Sequence, residues 1–213
     1  MSTRLIEIDG ADFHLSACSE DPALSDRALK TGLACLREAA ADAAGDLDLI
    51  SQGSLDILPR SEVARTVMEA ARTAVHAGHP DHSVAAARYA LAGALADKVL
   101  AEMEGVGPLM SAYVVSGECG AFSTKMDAVL DVPSELRGAL WLEVIHGLRP
   151  RIVKGGVAVA GARVPGSADG NADAVAIYAR SGAEAALSAI LVADSVELTE
   201  TAKRQAIPAT EDI

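Results

Sequence analysis

At 213 residues the chain has room for one domain, or for two closely joined halves sharing a core. Half of its residues are hydrophobic but only 3% are aromatic, so Ala, Val and Leu must fill the core by bringing backbones close together. A formal net charge of -12 disfavours a nucleic-acid partner, because phosphate binding needs clustered Lys and Arg.

The segment "RLIEIDGADFHLSA" has two alternating apolar runs around Asp9-Gly10 and predicts a hairpin. A helix follows, with Asp21 as its cap, Pro22 in its first turn, Leu24, Ala28, Leu29, Leu33 and Leu36 on one stripe, and Gly45 at its end. "SLDIL" predicts a short strand, and Pro59 and Ser61 open a second helix with Val63, Val67, Ala70, Ala71 and Ala74 facing inward. The stretch from Val84 to Gly105 is apolar almost all round, the pattern of a central helix enclosed by other elements. Its part from Val84 to Met103 is long enough to span a bilayer, but Arg88, Asp97, Lys98 and Glu102 interrupt it, so a buried helix in a protein without a membrane partner is expected. "SAYVVSGECGAF" predicts a strand and a glycine turn. "DVPSELRGALWLEVIHGLRP" predicts a short helix and leaves "WLEVI" open to a strand. "GGVAVAGARVPGSADGNADAVAIYARS" predicts strand, loop, strand, and "GAEAALSAILVADSV" a last helix capped by Ser181.

Helices and strands alternate irregularly, so the fold class expected is α+β, a mixed β-sheet with alanine-rich helices in a single domain over residues 1–206. Residues 207–213 are expected to form a frayed tail. The two halves look loosely alike around one core, each ending in an alanine-rich helix and a strand. Cys18, Cys35 and Cys119 are odd in number and far apart, and "MSTRLIEIDG" has no apolar signal core; the expectation is reduced thiols in a cytoplasmic protein.

Three segments are candidates for chemistry. In "VHAGHPDHSVAAA", His76, His79 and His82, with Asp81, offer imidazole and carboxylate ligands to a transition metal, although the spacing is not that of HExxH. The same loop can instead be a helix entrance: Asp81 or Ser83 caps the Val84 helix, and its free N–H groups with a histidine receive an anion. It can also be a wet connection without function. The second segment, "GARVPGSADGNADAV", crowds Arg163, Ser167, Asp169, Asn171 and Asp173, yet lacks the closing Glu of a calcium loop. The third, "SGECGAFSTK", places Glu118 in a turn after an apolar strand. Cys119 sits in the same turn and reads as an inert thiol.

Four stretches together resemble a prokaryotic family related to the ApbE-type flavin transferases, often labelled thiamine-biosynthesis-like. They are "FHLSA", "SLDILPRSEVARTVMEAARTA", "ALAGALADKV" and "GNADAVAIYARSGAEAALSAILVADSV", spanning most of residues 12 to 196 in order. Gly170, Ala172 and Asp173 match the family's Gly-x-Ala-Asp-Ala-Val strand. The family's Gly-Val-Gly-Pro-Met segment is replaced by His79-Pro80-Asp81-His82, and its Glu-Asn-Gly-Gly-Asp turn by Gly117-Glu118-Cys119-Gly120. The resemblance implies an ApbE-like fold and a nucleotide- or flavin-like ligand, without a defined reaction.

The leading expectation is thus a protein binding a small anionic ligand through His79, His82, Ser83, Glu118, Gly120, Gly170, Asn171 and Asp173. In it the helix start and a histidine take the anion, and Asp173 takes a cation or a ring donor. A second is a metal-dependent hydrolase built on His76, His79 and His82 with a divalent metal, Glu118 or Asp81 serving as ligand or base. A third is a non-catalytic homo-oligomer packed through its alanine-rich helices.

Overall fold

In a computed structural model of the chain, the described residues are 2–8, 10–46, 48–49, 58–76, 87–125, 130, 132–133, 136–148, 154–164 and 172–196. The predicted strand "SLDIL" falls mostly outside them, as do residues 77–86 and the predicted tail at 207–213. The elements run β1 (Ser2–Ile8), β2 (Ala11–Cys18), α1 (Pro22–Ala44), α2 (Glu62–His76), a 3₁₀ turn (Ala87–Tyr89), α3 (Ala90–Gly105), β3 (Ser111–Ser116), β4 (Cys119–Thr124), α4 (Leu140–Leu148), β5 (Lys154–Ala160), β6 (Val175–Ala179) and α5 (Gly182–Ser195).

The six strands form one sheet in the order β1-β2-β3-β4-β5-β6, every neighbour antiparallel. The α+β class stands, but the expected mixed sheet is corrected to an antiparallel meander. The reason lies in the helical excursions. The chain leaves β2 at Cys18 and returns at Ser111, directly opposite it, so it re-enters the sheet at the end it left. A parallel neighbour needs a crossover that delivers the chain to the far end. "WLEVI" is helix, as part of α4.

Alternation along β3 explains why both faces of the sheet are covered. Ala112 and Val114 join one apolar cluster with α1, α2, α3 and α5, whereas Tyr113 and Val115 join another with Trp141, Leu142 and Ile145 of α4. On the first face α3 lies against β3 and β4, flanked by α1 and α5, and also packs against α2. That enclosure accounts for its apolar character all round. Among the described residues no helix is long and apolar enough to cross a membrane.

Local signals place the helix ends. Asp21, in extended backbone, accepts from the Ala23 N–H ahead of Pro22. Ser61 Oγ accepts from the Ala64 N–H, and the Ser61 N–H donates to Asp46 Oδ2 at 2.7 Å, tying the end of α1 to the start of α2. That bond, with the Ser61 hydroxyl and the Arg60 N–H, holds this carboxyl below its usual range against the opposing effect of its burial. At α5, Ser181 Oγ accepts from the Glu184 N–H, as expected.

Because the sheet is a meander, the β1–β2 turn, the β3–β4 turn and the β5–β6 connection all fall at one end of it, here called the hairpin end. Gly10 (φ 80°) and Gly117 (φ 54°) supply the left-handed backbone that the first two turns need. The start of α3 reaches the same end, where Leu91, Ala92 and Leu95 face Ile8, Ala11 and Phe13 across a recess. Its other terminus leads to Met110, whose N–H donates to the Cys18 carbonyl at the opposite end.

Candidate functional site

The hairpin end holds Glu118, Gly120, Asp173 and the start of α3, distributed over both faces of the sheet, whereas Ser123, Thr124 and Lys125 lie at the opposite end. Glu118 turns toward α4. Its carboxylate accepts from the backbone N–H groups of Leu140 (3.3 Å) and Trp141 (3.0 Å), and its carbonyl accepts from the Val159 N–H at 2.8 Å. The side chain therefore caps a helix, a role that satisfies both its oxygens. Gly120 is constrained by packing, because a Cβ there would overlap the Val114 carbonyl and the Val115 side chain.

Asp173 closes the β5–β6 connection. Its carbonyl accepts from the Arg163 N–H and the Ala172 carbonyl from the Ala162 N–H, both at 2.9 Å. Ala172 itself is buried in the cluster on the α3 face. His76 ends α2, exposed, with its Nδ1 2.7 Å from the Arg72 carbonyl, so one ring nitrogen is engaged by its own helix. Among the described residues no group of His, Cys, Asp and Glu could hold a metal ion. His79, Asp81, His82, Ser83, Ser167, Asp169, Gly170 and Asn171 lie outside the described residues.

Beside the start of α3 the hairpin end holds an apolar recess of about 200 Å³. β1 and β2 contribute Ile8, Ala11 and Phe13, α1 contributes Ala40, Ala43 and Ala44, and α3 contributes Leu91, Ala92 and Leu95. The recess exists because alanines stand where larger side chains would meet. Leu91 and Ala92 were read only as part of an enclosed helix; the periodicity gives no sign that β2 and α1 stop short of them.

A larger opening, about 480 Å³, lies elsewhere, between α1, α2 and α3. Glu38, Asp42, Glu62 and Glu102 line it together with Cys35 and Lys98. Lys98 Nζ bridges Glu62 (2.9 Å) and Glu102 (3.0 Å), which raises its pKa and keeps it charged. Burial, and then Glu102, push the Cys35 thiol upward, away from reactivity. Carboxylates outnumber the cation, so this cleft repels the anion expected from the sequence.

One polar feature that sequence reasoning missed joins α3 to α5. Asp97 Oδ1 accepts from the Gly182 N–H at 2.7 Å and Oδ2 from the Ala183 N–H at 3.0 Å. Burial raises its pKa to about 6 against the opposing effect of those two hydrogen bonds. Gly93, one turn before it, packs backbone to backbone on Gly182. Burial, with a smaller contribution from Asp97, drives the Cys119 thiol to about 12, in keeping with the inert thiol expected. The start of α5 thus has its anion already, and the only sign in the sequence was one acid in an apolar helix.

No protein-family model matches the chain, and no curated protein matches it at a significant level.

Proposed function

We propose that the protein binds a small anionic molecule at the hairpin end of its sheet, next to the start of α3. The observation that carries this reading is the apolar recess formed there by β1, β2, α1 and α3. Ligand sites combine an apolar cavity with a few convergent polar groups. In the sequence His79, His82 and Ser83 come a few residues before α3, ahead of the 3₁₀ turn Ala87–Tyr89 that runs into it. A protonated histidine favours an anion. Asp173 lies at the same sheet end, but β5 stands three strands from β2, so it is left out of the ligand set. Glu118 is left out of the ligand set, since both its oxygens are engaged by α4. The ApbE-like segments of the sequence agree with a small-molecule role and name no reaction.

Thermal melting with inorganic phosphate, benzoate, AMP and FMN tests the reading, using the natural chain and a His79→Ala/His82→Ala variant, each with its metal content measured. At least one anion should raise the Tm of the natural chain and lose that effect in the variant, whose Tm without ligand stays close to normal. A stoichiometric metal that disappears with the two histidines, together with a large fall in Tm, would replace this reading by the metal-dependent one. An unchanged Tm with every anion would refute both anion binding and its location.

A further inference from the structure

The two edges of the sheet differ. β6 is five residues long and packs against both α4 and α5. β1 is seven residues long, holds neither Pro nor Gly, and pairs one for one with β2 over its whole length, without a bulge. Among the described residues it pairs with no other strand. An edge of that kind accepts a further strand unless some device blocks it. Leu5, at its middle, is 60% exposed. It stands on the α4 face, in line with His14 and Val115, but α4 packs on β5 and β6, toward the far edge.

The hairpin decides which backbone groups of β1 face outward. Only Asp9 and Gly10 separate Ile8 from Ala11, so these two close the turn as a hydrogen-bonded pair. Pairs then alternate, and Thr3, Leu5 and Glu7, opposite Ser16, His14 and Asp12, point their N–H and C=O groups away from β2. The Cys18 carbonyl agrees with this alternation, since it accepts from the Met110 N–H on the β3 side, as Asp12, His14 and Ser16 do not bond to β1. Two copies of β1 fit best in one antiparallel register. With Leu5 opposite its own copy, Thr3 opposes Glu7 on either side of the axis. Every outward-facing residue then finds a backbone partner, the exposed leucines cover each other, and each Thr3 hydroxyl meets a carboxylate. A slip of one pleat in one direction opposes Arg4 to Arg4, and in the other opposes Leu5 to Glu7, both poorer pairs.

We propose that the protein pairs with a second copy of itself through β1, edge to edge, joining two six-stranded sheets across a two-fold axis at Leu5. The contact is isologous. One strand edge covers less than the roughly 1,000 Å² of a stable interface, so the dimer is weak. A net charge of -12 on each copy opposes the approach, and added salt strengthens the pairing by screening it. The alanines of α3 and α5, expected from the sequence to pack between copies, are used inside one chain. Leu5 lies on the face opposite the apolar recess, so pairing does not depend on the ligand site.

Sedimentation velocity of the full chain, from low to high micromolar concentration, should show a reversible dimer that strengthens with salt. Leu5→Lys sets two ammonium groups on the axis and should weaken the dimer at least tenfold, while its Tm at low concentration and its circular dichroism spectrum stay normal. Mild oxidation reads the register. Leu5→Cys should give a dimer linked through position 5, because hydrogen-bonded partners stand about 5.5 Å apart between Cα atoms, within disulfide reach. Arg4→Cys should not, and the natural chain is the control for Cys18, Cys35 and Cys119. A monomer at every concentration, or a dimer that Leu5→Lys leaves intact, would overturn the proposal. Linkage at position 4 as readily as at position 5 would overturn the register and its axis.

Discussion

Gly93→Ala adds one methyl group at the crossing of α3 and α5. In an isolated helix the change is favourable by about 1 kcal/mol, because Ala is the better helix former. Here the added Cβ would overlap the Gly182 carbonyl and lie 2.7 Å from the Ala183 nitrogen. Carbon atoms are comfortable at about 3.5–4.0 Å, so the helices must separate by roughly 1 Å. Both neighbours are backbone atoms, which no rotamer change can move. Overpacking of this kind costs about 1–3 kcal/mol. The separation also stretches the two Asp97 hydrogen bonds, now 2.7 and 3.0 Å. Hydrogen bonds to charged groups contribute about 1.5–3 kcal/mol each, and part of that is lost. Setting the helix gain against these costs leaves a net loss of about 2–4 kcal/mol. Urea denaturation followed by circular dichroism should show a lower midpoint at an unchanged slope. A midpoint equal to or above that of the natural chain would mean that α3 and α5 do not meet at Gly93, and the helix layer described here would be wrong.

Other predictions concern the polar contacts. Asp97 has a folded-state pKa near 6 against an ordinary 3.8, so the fold binds its proton more tightly than the unfolded chain does. Its contribution is fully present below pH 3.8 and is lost as pH rises through 6; Asp97→Asn should flatten the stability profile between these values, and an unaltered profile would show that Asp97 is well hydrated. Asp46 acts in the opposite sense: its lowered pKa gives stability above about pH 3.8 that is lost in stronger acid, and Asp46→Asn should remove that acid loss. Glu118→Ala should cost about 1–2 kcal/mol by uncapping α4, with a shift in Trp141 fluorescence, and an unchanged spectrum and midpoint would argue against the cap. Cys18, Cys35 and Cys119 are all free, so each should react with a thiol reagent in denaturant, whereas Cys119 should be the slowest in the folded protein; rapid native labelling of Cys119 would contradict its raised thiol pKa.

What could be read from the sequence is what is coded locally. Asp21-Pro22, Gly10 and Ser181 each act within a few residues, and each does what its position suggests. The enclosure of α3 was also legible, because an all-round apolar helix has no stable alternative in water. Contacts between distant residues were not. "WLEVI" becomes helix where Glu118, 22 and 23 residues earlier, supplies the cap for Leu140 and Trp141. Glu118 looked like a ligand group for the same reason: its partners are invisible in a linear reading. Asp97 was seen only as an interruption of a membrane-length run, since its partner Gly182 is 85 residues away. The recess is another long-range product, made by alanines of α1 and α3 meeting the β1–β2 hairpin.

The seat of the ligand is tested most directly by ¹H–¹⁵N correlation spectra of the full chain during titration with benzoate. Binding at the hairpin end predicts saturable shifts concentrated at Ala11, Leu91, Ala92 and Leu95, weakening along α3 toward Glu102. Shifts gathered instead at Cys35, Glu38 and Lys98, or the absence of any saturable shift, would contradict a binding site at the hairpin end.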